Sequence, residues 1–447
     1  MNSAPFRYLV TALLARITLA QSYELGLVQQ TPVPALTEET GMRLAAHARR
    51  AWSLKRALDT PNEISHAFVL PASLIIKVTP DGFYPAAITA QIATIQRKID
   101  DEVSRAYSLD EEDRAAVDAW DHPTAATTLK GGADERSDGD ECEQQEDEAD
   151  DASVANSAGL LSWAVGVAFG RFDIRLATNE RPLPPEPGPF DPLPRKSPGM
   201  LPDGDSPFHS NPGILVDDPG HPHDLPHLID SVLDYVGMDS TLGTRAWLRR
   251  DFFPEHLKQY SKSRRKAPIY WPLSTASGGY TLLIYYPALT DQTLFVAAND
   301  FVGTKLDREV EPALRALRQK TDRSREEERT LEDLQTLHDE LSTLRAELLR
   351  LAPTWKPNHD DGVQITAAPL WRLFRHRPWQ AVLRDTWEKL EQGTYDWAHL
   401  AMDNWPGRVL DKCRTDKSLA IAHDLEHLYE PPPEAPGKAR RGRRKKG

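Results

Sequence analysis

Six leucines between residues 334 and 351 are spaced alternately three and four residues apart, and this spacing restricts the fold more than any other feature of the chain. They are Leu334, Leu337, Leu341, Leu344, Leu348 and Leu351. Such spacing places all six on one face of an α-helix, as in the a/d seam of a coiled coil. A preceding helix has its own apolar stripe at Val310, Leu314 and Leu317. Polar residues 321–324 separate the two, so we expect an antiparallel helical hairpin over residues 303–352.

Apolar periodicity elsewhere predicts an α+β fold that is predominantly α-helical, with helical bundle segments, the antiparallel coiled-coil hairpin and one small β-hairpin. We divide the chain into residues 1–35, 36–125 (a helical region), 126–156 (an acidic disordered linker), 157–302 (a mixed helical and extended region with a basic turn and the β-hairpin), 303–352 (the helical hairpin), 353–430 (a Trp-rich helical unit) and 431–447 (a basic disordered tail).

Local signals give finer expectations for individual segments. One face of a first helix carries Leu9, Leu13, Ile17 and Ala20, and a short strand is predicted at 23–28. Predicted helices cover the residues from the N-cap Thr37 to Leu58 and residues 87–106, 110–120, 160–168, 228–236 and 244–253. Residues 181–226 are so rich in Pro, Gly and Asp that we expect extended segments and turns. Two strands, 267–273 and 280–286, are expected to pair through residues 274–279.

The acidic charge of the chain is concentrated in one segment. The formal net charge is −13, and about ten of these negative charges fall within residues 134–151. The rest of the chain is therefore close to neutral and carries basic clusters, so net charge excludes no class of ligand. Residues 124–153 cannot bury enough apolar surface to offset chain entropy, and we interpret them as a solvated insertion rather than a screen for a basic DNA surface.

Cysteine content and hydropathy indicate a cytoplasmic protein. Cys142 and Cys413 are the two cysteines, too few for a disulfide framework or a multi-cysteine zinc site. The N-terminus imitates a signal peptide, but Arg16 interrupts the apolar run, and an amphipathic helix is the better interpretation. No apolar run approaches the length of about 18 residues that spans a membrane.

A run of cations before a predicted strand is the strongest local candidate for a functional site. The candidate DNA-binding residues are Lys258, Lys262, Ser263, Arg264, Arg265 and Lys266. The cations would bind phosphate oxygens, and the hydroxyls of Ser261 and Ser263 would donate to them. The aromatic pair that follows, Tyr270 and Trp271, would pack under the strand. A solvated basic turn is the alternative interpretation of the same run.

Other motifs point to packing or turns rather than to catalysis. Gly166 and Gly170 are interpreted as sites of tight helix packing, because the preceding residues predict a helix where a cofactor loop would follow a strand. Asp217, Asp218, His221, His223 and His227 form the one metal-like cluster, but their spacing fits no standard site and exposed turn residues are the preferred interpretation. The Asp/Asn-Pro-Pro-aromatic loop that holds a flipped adenine is missing, since Asn211 is followed by Pro-Gly-Ile.

Several separated stretches resemble the C-terminal half of the large N6-adenine DNA methyltransferases of BREX-type phage-defence systems, relatives of the fused type IIG restriction-modification enzymes. These stretches are residues 2–6, 22–34, 55–68, 163–175, 260–271, 361–365, 368–370 and 393–397. The basic run that leads into Ile269-Tyr-Trp is the most specific of them.

The resemblance implies that this chain lacks the methyl-transfer site. In that family the S-adenosylmethionine loop and the catalytic motif lie upstream of a target-recognition domain, and residues 1–35 resemble the end of that domain. We therefore expect no cofactor in this chain, with S-adenosylmethionine bound by a catalytic methyltransferase domain or subunit. A split system and a truncated reading frame would both produce such a chain.

Three functions remain open at this point. The first is gripping of double-stranded DNA while a catalytic partner methylates adenine. The second is a protein-interaction or scaffold subunit, in which the leucine seam and the Trp-rich unit bind other defence-system proteins. The third is an intact enzyme with an unrecognised active site.

Overall fold

The computed structural model describes residues 2–14, 29–79, 83–121, 148–239, 242–262, 265–392, 394 and 406–431. Internal contacts divide the chain into two compact units, one of residues 1–163 with 173–204 and the other of residues 164–172 with 205–447. The fold class predicted from the sequence is confirmed: the chain is a predominantly helical α+β protein with a small antiparallel sheet.

Helices form the first unit. They are α1 (Ala4–Leu14), α2 (Glu38–Leu58), α3 (Ala72–Val78), α4 (Pro85–Ala106), α5 (Glu111–Asp121) and most of α6 (Glu148–Ala168). Helix α2 packs along α4, and α1 packs on α4 and α5. The side chain of Thr37 accepts a hydrogen bond from the amide of Thr40, which confirms the predicted N-cap of α2.

The start of α6 corrects one predicted boundary. This helix begins at Glu148, so residues 148–156 are helical rather than part of the expected disordered linker. The other expectations for these regions lie outside the described residues: Ile17 and Ala20 of the first helix, the strand at 23–28, Cys142 and the acidic residues 134–147.

A three-stranded antiparallel sheet organises the second unit. Its strands β1 (Ile214–Asp217), β4 (Tyr270–Ser274) and β5 (Thr281–Tyr285) lie in the order β1-β5-β4. The β4–β5 hairpin was predicted. Strand β1 was not, because it occupies four residues inside the Pro- and Gly-rich segment that we expected to contain only extended stretches and turns.

Strand register determines which side chains share each face of the sheet. Ile214, Ile284 and Trp271 lie across from one another, as do Val216, Leu282 and Leu273. Because side chains alternate along a strand, these two rows occupy one face, and both are buried in the main core. The intervening residues, including Asp217, Thr281 and Ser274, occupy the opposite face.

Three helices lie between β1 and β4 in the sequence. Helix α7 (Leu225–Tyr235) precedes α8 (Thr244–Arg250) and α9 (Phe252–Gln259). The single helix predicted over 244–253 is therefore two helices, separated at Asp251, the residue that ends one and precedes the other. A short antiparallel pair, β2 (Ser261–Lys262) and β3 (Arg265–Lys266), follows α9.

The predicted helical hairpin is present after β5. Helix α10 (Thr293–Val296) continues through two π-helical segments, Ala297–Gly303 and Leu306–Val310, into α11 (Glu311–Gln319), and α12 (Arg325–Leu351) runs back along it. The side chains of Ser324 and Glu327 form a reciprocal capping box that starts α12. The C-terminal half of the leucine seam packs into the main core against the sheet face, rather than forming an isolated coiled coil.

The residues after α12 join the same core. Helices α13 (Val363–Ala367) and α14 (Arg377–Gln392) lie next to a 3₁₀ segment at Ala368–Leu373, and Trp355 and Trp379 are buried with the leucines. The Trp-rich residues therefore share a core with the hairpin instead of forming a separate unit. A smaller cluster in α15 (Pro406–Cys413) and α16 (Lys417–Ala422) is built on Val409, Cys413 and Leu419. Trp397 and Trp405 lie outside the described residues.

Candidate nucleic-acid interface

Residues 258–266, which we call the basic hairpin, connect the end of α9 to β4. Ser261 pairs with Lys266 and Lys262 pairs with Arg265 across the two short strands. The amide of Ala267 donates to the carbonyl of Tyr260 at 3.0 Å, which closes the base of the hairpin. The candidate residues Ser263 and Arg264 lie outside the described residues, as does the side chain of Arg265.

The described lysines of the basic hairpin carry uncompensated charge. Lys258 and Lys262 are exposed and Lys266 is half-buried. Among the described residues, no carboxylate lies within ion-pair distance of any of the three. These lysines therefore present positive charge that an anionic ligand would neutralise.

A buried histidine anchors both ends of the basic hairpin. The Nε2 atom of His256, on α9, accepts hydrogen bonds from the amides of Ile269 at 2.9 Å and Tyr270 at 3.3 Å. Burial, together with the nearby charge of Arg171, lowers the pKa of His256 to about 3, so the ring is neutral and can accept. The hairpin is thus tied to a helix on one side and to β4 on the other.

Arg171 adds a second anchor at Tyr260. Its guanidinium donates a short hydrogen bond to the hydroxyl of Tyr260 and lies 5.4 Å from the centre of that ring. Ring contacts then continue from Tyr260 to His256 at 4.4 Å and from His256 to Tyr270 at 5.0 Å. Tyr270 is fully buried, which agrees with the prediction that it packs under the strand.

Next to the basic hairpin, a cleft of about 580 Å³ lies on the face of the sheet opposite the main core. Register explains its position, because Asp217, Thr281 and Ser274 form one cross-strand row on that face. The basic side chains of the lining are the guanidinium groups of Arg249, Arg250 and Arg375 and the imidazole of His376. Sequence reasoning missed these four residues, since they come from α8 and from the residues before α14.

Electrostatics shows that the cleft and the basic hairpin are neighbours. Burial lowers the pKa of His376, and the charge of Lys266 lowers it further. His376 lines the cleft, while Lys266 belongs to the hairpin. Lys266 of the basic hairpin and His376 of the cleft therefore lie close enough to interact electrostatically.

The cleft arginines already have partners, which fix their positions. Arg249 donates a short hydrogen bond to Asp217, and Arg250 pairs with Asp251 at 2.9 Å. Arg375 donates to the carbonyls of Thr275 at 2.8 Å and Ser274 at 2.9 Å, in the turn that joins β4 to β5. Arg375, which is held by two uncharged carbonyl groups, can hold an anion in a defined position, because little of its side-chain freedom remains to be lost.

The predicted metal-like cluster has a structural role, and its interpretation as exposed turn residues is wrong for the aspartates. Asp217 is 3% exposed and Asp218 is 5% exposed. Asp217 pairs with Arg245 and Arg249, and Asp218 accepts from Nζ of Lys305 at 2.7 Å. Burial of an ion requires such partners, which no sequence pattern near Asp217 revealed.

Two histidines of that cluster lie close to each other. The rings of His221 and His223 are 5.8 Å apart, and His221 stacks on Phe301 at 5.3 Å. Within the described ranges, no group of three or more His, Cys, Asp or Glu side chains has an arrangement that would hold a metal ion. Burial lowers the pKa values of His221 and His223, so both rings are neutral near pH 7.

The glycines that superficially suggest a cofactor loop are packing positions. A Cβ atom on Gly166 would lie 2.2 Å from the ring of Phe172, and one on Gly170 would lie 2.8 Å from Pro207. Gly170 also adopts a φ of +77°, a conformation that favours glycine. Both residues therefore allow close packing around the end of α6, as predicted.

Comparisons with known proteins add no further assignment: no family model matches the chain, and no curated protein matches it. In the described part of the chain, no helix has the length and apolar character needed to cross a bilayer.

Proposed function

We propose that this chain is the C-terminal, DNA-engaging part of a site-specific N6-adenine DNA methyltransferase from a phage-defence or restriction-modification system. The observation that carries the proposal is the basic hairpin, whose described lysines lack carboxylate partners and whose base is anchored by His256. The same hairpin is the most specific part of the resemblance to the BREX-type enzymes. Localisation in the cytoplasm follows from that assignment.

Phosphate binding is the chemistry that the hairpin suits. Double-stranded DNA carries one negative charge for about every 1.7 Å of its axis, so a short run of closely spaced lysines and arginines would meet several phosphates. Contacts of this kind position the protein on the duplex without reading its sequence. The neighbouring cleft, with Arg249, Arg250 and Arg375, would extend the contact along the backbone.

Catalysis belongs to another domain or subunit in this proposal. Adenine methylation needs a cradle for S-adenosylmethionine and a pocket with an aromatic ring for the flipped base. Since Asn211 is followed by Pro-Gly-Ile, this chain offers no such motif. We expect it to bind no S-adenosylmethionine by itself and to act with a catalytic methyltransferase partner.

The alternative of a scaffold subunit depended on the leucine seam and on the Trp-rich unit, and the structure describes most of the seam as part of the core. Four of its six leucines, namely Leu341, Leu344, Leu348 and Leu351, are buried in the core of this chain. Leu334 and Leu337 are partly buried against the same core. Most of the seam therefore stabilises the fold and is not available to other defence-system proteins.

A pair of double variants tests the hairpin. Lys262→Ala/Lys266→Ala removes two unpaired cations from it, whereas Arg384→Ala/Lys389→Ala removes two exposed, ion-paired cations from α14. The first variant should weaken binding to a fluorescently labelled duplex and reduce the slope of log K against log[salt] by about 0.9 for each phosphate that the protein no longer neutralises. The second should change neither quantity by a comparable amount. Equal effects of the two variants, or none, would show that the hairpin does not bind DNA.

A further inference from the structure

A second cavity, of about 520 Å³, lies at the C-terminal end of helix α12. We call it the tryptophan pocket. Three indoles line it, those of Trp355, Trp371 and Trp387. Its charged lining residues are Arg350, Arg372 and Glu391. None of these six residues belongs to the basic hairpin or to the cleft beside it.

The three tryptophans are exposed to different extents. The buried one forms a wall of the pocket, and the two partly exposed ones can contact a ligand. Trp355 is 1% exposed, and its indole N–H donates to the carbonyl of Thr366 at 2.9 Å, so it forms a fixed wall. Trp371 and Trp387 are only partly buried. A core residue would hide its ring, whereas a partly open indole on a cavity provides a flat apolar surface for another ring.

The arginines at the pocket are held in place. The guanidinium of Arg372 lies 5.2 Å from the centre of the Trp371 ring, and that of Arg350 makes two hydrogen bonds to Glu347, at 2.7 and 2.8 Å. Glu391 lies one helical turn after Trp387 on α14, so both face the same side. The pocket thus combines aromatic surface, two fixed cations and one carboxylate.

We propose that the tryptophan pocket binds a single nucleotide, with the base against Trp371 and Trp387 and the phosphate at Arg350 and Arg372. A carboxylate accepts hydrogen bonds and donates none at neutral pH. Glu391 would therefore accept from an exocyclic amino group and favour adenine, cytosine or guanine over thymine. A cationic ligand fits poorly, because two arginines already lie at the site.

The position of the pocket relates it to the candidate DNA surface. Arg350 and Arg372 also line an adjoining cavity of about 640 Å³, and that cavity shares Ser274 and Arg375 with the cleft beside the basic hairpin. Three carboxylates line the adjoining cavity: Asp339 lies 3.2 Å from Nδ1 of His338, Glu340 accepts from the amide and the hydroxyl of Ser277, and Glu347 binds Arg350. Arg350, Arg372 and Arg375 offset these charges along the path from the cleft to the pocket.

The inference rests on the proposed DNA binding in one respect, namely that the nucleotide is part of a DNA strand. A free nucleotide has the same chemistry and would occupy the same residues. Both cases use aromatic stacking, which contributes a factor of about 5 to 150 in affinity for each base.

Matched tryptophan variants provide the test. Trp371→Leu keeps an apolar side chain but removes the ring, and Trp52→Leu is the control, because Trp52 is also partly exposed and also carries an arginine, Arg56, at 6.0 Å. The probe is a fluorescein-labelled single strand of mixed sequence, followed by anisotropy with the full chain. We expect Trp371→Leu to bind the strand about 5- to 150-fold more weakly and Trp52→Leu to bind it as the unaltered chain does. Equal affinity of both variants would overturn the proposal.

Competition with dAMP shows whether the pocket accepts a free nucleotide or only one within a DNA strand. Deoxyadenosine lacks the phosphate, so it should compete less well than dAMP if the phosphate binds at the arginines. If dAMP displaces the strand, the pocket accepts a free nucleotide; if only DNA competes, it accepts a nucleotide within a strand, and both results support the chemistry. Arg372→Gln should weaken binding of the nucleotide that competes. Glu391→Gln should raise affinity for a dT strand relative to a dA strand, because an amide can also donate to thymine.

Failure of this inference is distinct from failure of the proposed function. A chain that binds duplex DNA through Lys262 and Lys266, and binds single strands equally well with or without Trp371, would retain the proposed function without the nucleotide pocket. A chain that binds dAMP at Trp371 but no duplex would retain the pocket without the proposed function. Binding of neither probe would overturn both.

Discussion

Gly166 shows how one missing side chain controls the packing at the end of α6. The ring of Phe172, which is 2% exposed, lies 2.2 Å from where a Cβ atom of residue 166 would be. Because Phe172 is buried, its ring could move away only by displacing neighbouring side chains. The close approach of helix and ring therefore requires glycine at this position.

We expect Gly166→Ala to destabilise the second unit by about 1–3 kcal/mol, the usual range for an overpacked core. Gly159→Ala is the matched control, because it lies on the same helix with nothing within 4 Å of the added Cβ. That substitution should be neutral or stabilising by up to about 1 kcal/mol, since alanine favours helix. Urea unfolding of both variants measures the difference, and a Gly166→Ala protein as stable as Gly159→Ala would contradict the packing.

One buried and four partly buried histidines link stability to pH. Burial lowers the pKa values of His209, His221, His223, His256 and His376. A histidine whose pKa is lower in the folded state binds fewer protons there than in the unfolded chain, once the pH falls below its ordinary value of about 6.5. Asp218 and Glu255, whose pKa values burial raises, act in the opposite direction, but they are two groups against five.

Stability should therefore fall as the pH decreases from 7.5 to 5.5. His256, with a pKa lowered to about 3, contributes a loss of at most about 1.4 kcal/mol for each pH unit below 6.5. Urea midpoints across this range measure the trend. His256→Gln retains a hydrogen-bond acceptor without a titrating ring, so its stability should depend less on pH; an unchanged slope would show that His256 does not contribute.

The leucine seam of α12 is fully buried in the core at its C-terminal end and only partly buried at its N-terminal end. Leu348 is fully buried, whereas Leu334, near the start of the helix, is only partly buried. We expect Leu348→Ala to cost about 2–5 kcal/mol, as cavity formation in a core does, and Leu334→Ala to cost clearly less. Chemical denaturation of the two variants compares them directly. Similar losses of stability would mean that the seam packs uniformly along the hairpin.

Elements with a strong local pattern were predictable from the sequence. The hairpin, α4, α5 and the β4–β5 pair all repeat an apolar spacing over many residues or include a clear turn. Strand β1 carries only Ile214-Leu-Val before Asp217, too few residues to show a period among prolines and glycines. Its pairing depends on β5, almost 70 residues later, and such non-local partners leave no local signal.

The candidate site was predictable only in part for the same reason. The cations of the basic hairpin are contiguous, so composition alone located them. Arg249, Arg375 and His376 meet in one cleft because the fold brings α8, the β4–β5 turn and the start of α14 together. The burial of Asp217 likewise depends on Arg245 and Arg249, which follow it by roughly 30 residues.

At the scale of the whole molecule, charge is distributed unevenly, and this distribution supports an electrostatic function. Most of the net charge of −13 belongs to residues 134–151. The second unit instead carries the basic hairpin and the cleft arginines. Local potential, rather than net charge, determines how a phosphate backbone is attracted. The proposed contact with DNA is therefore consistent with an acidic protein.

Affinity of the full chain for a fluorescently labelled duplex, measured by anisotropy between about 50 and 200 mM salt, tests the central claim most directly. We predict measurable binding at the lowest salt, with log K falling linearly against log[salt] by about 0.9 for each phosphate contacted. No binding at low salt, or an affinity that does not change with salt, would contradict the assignment of this chain to the DNA backbone.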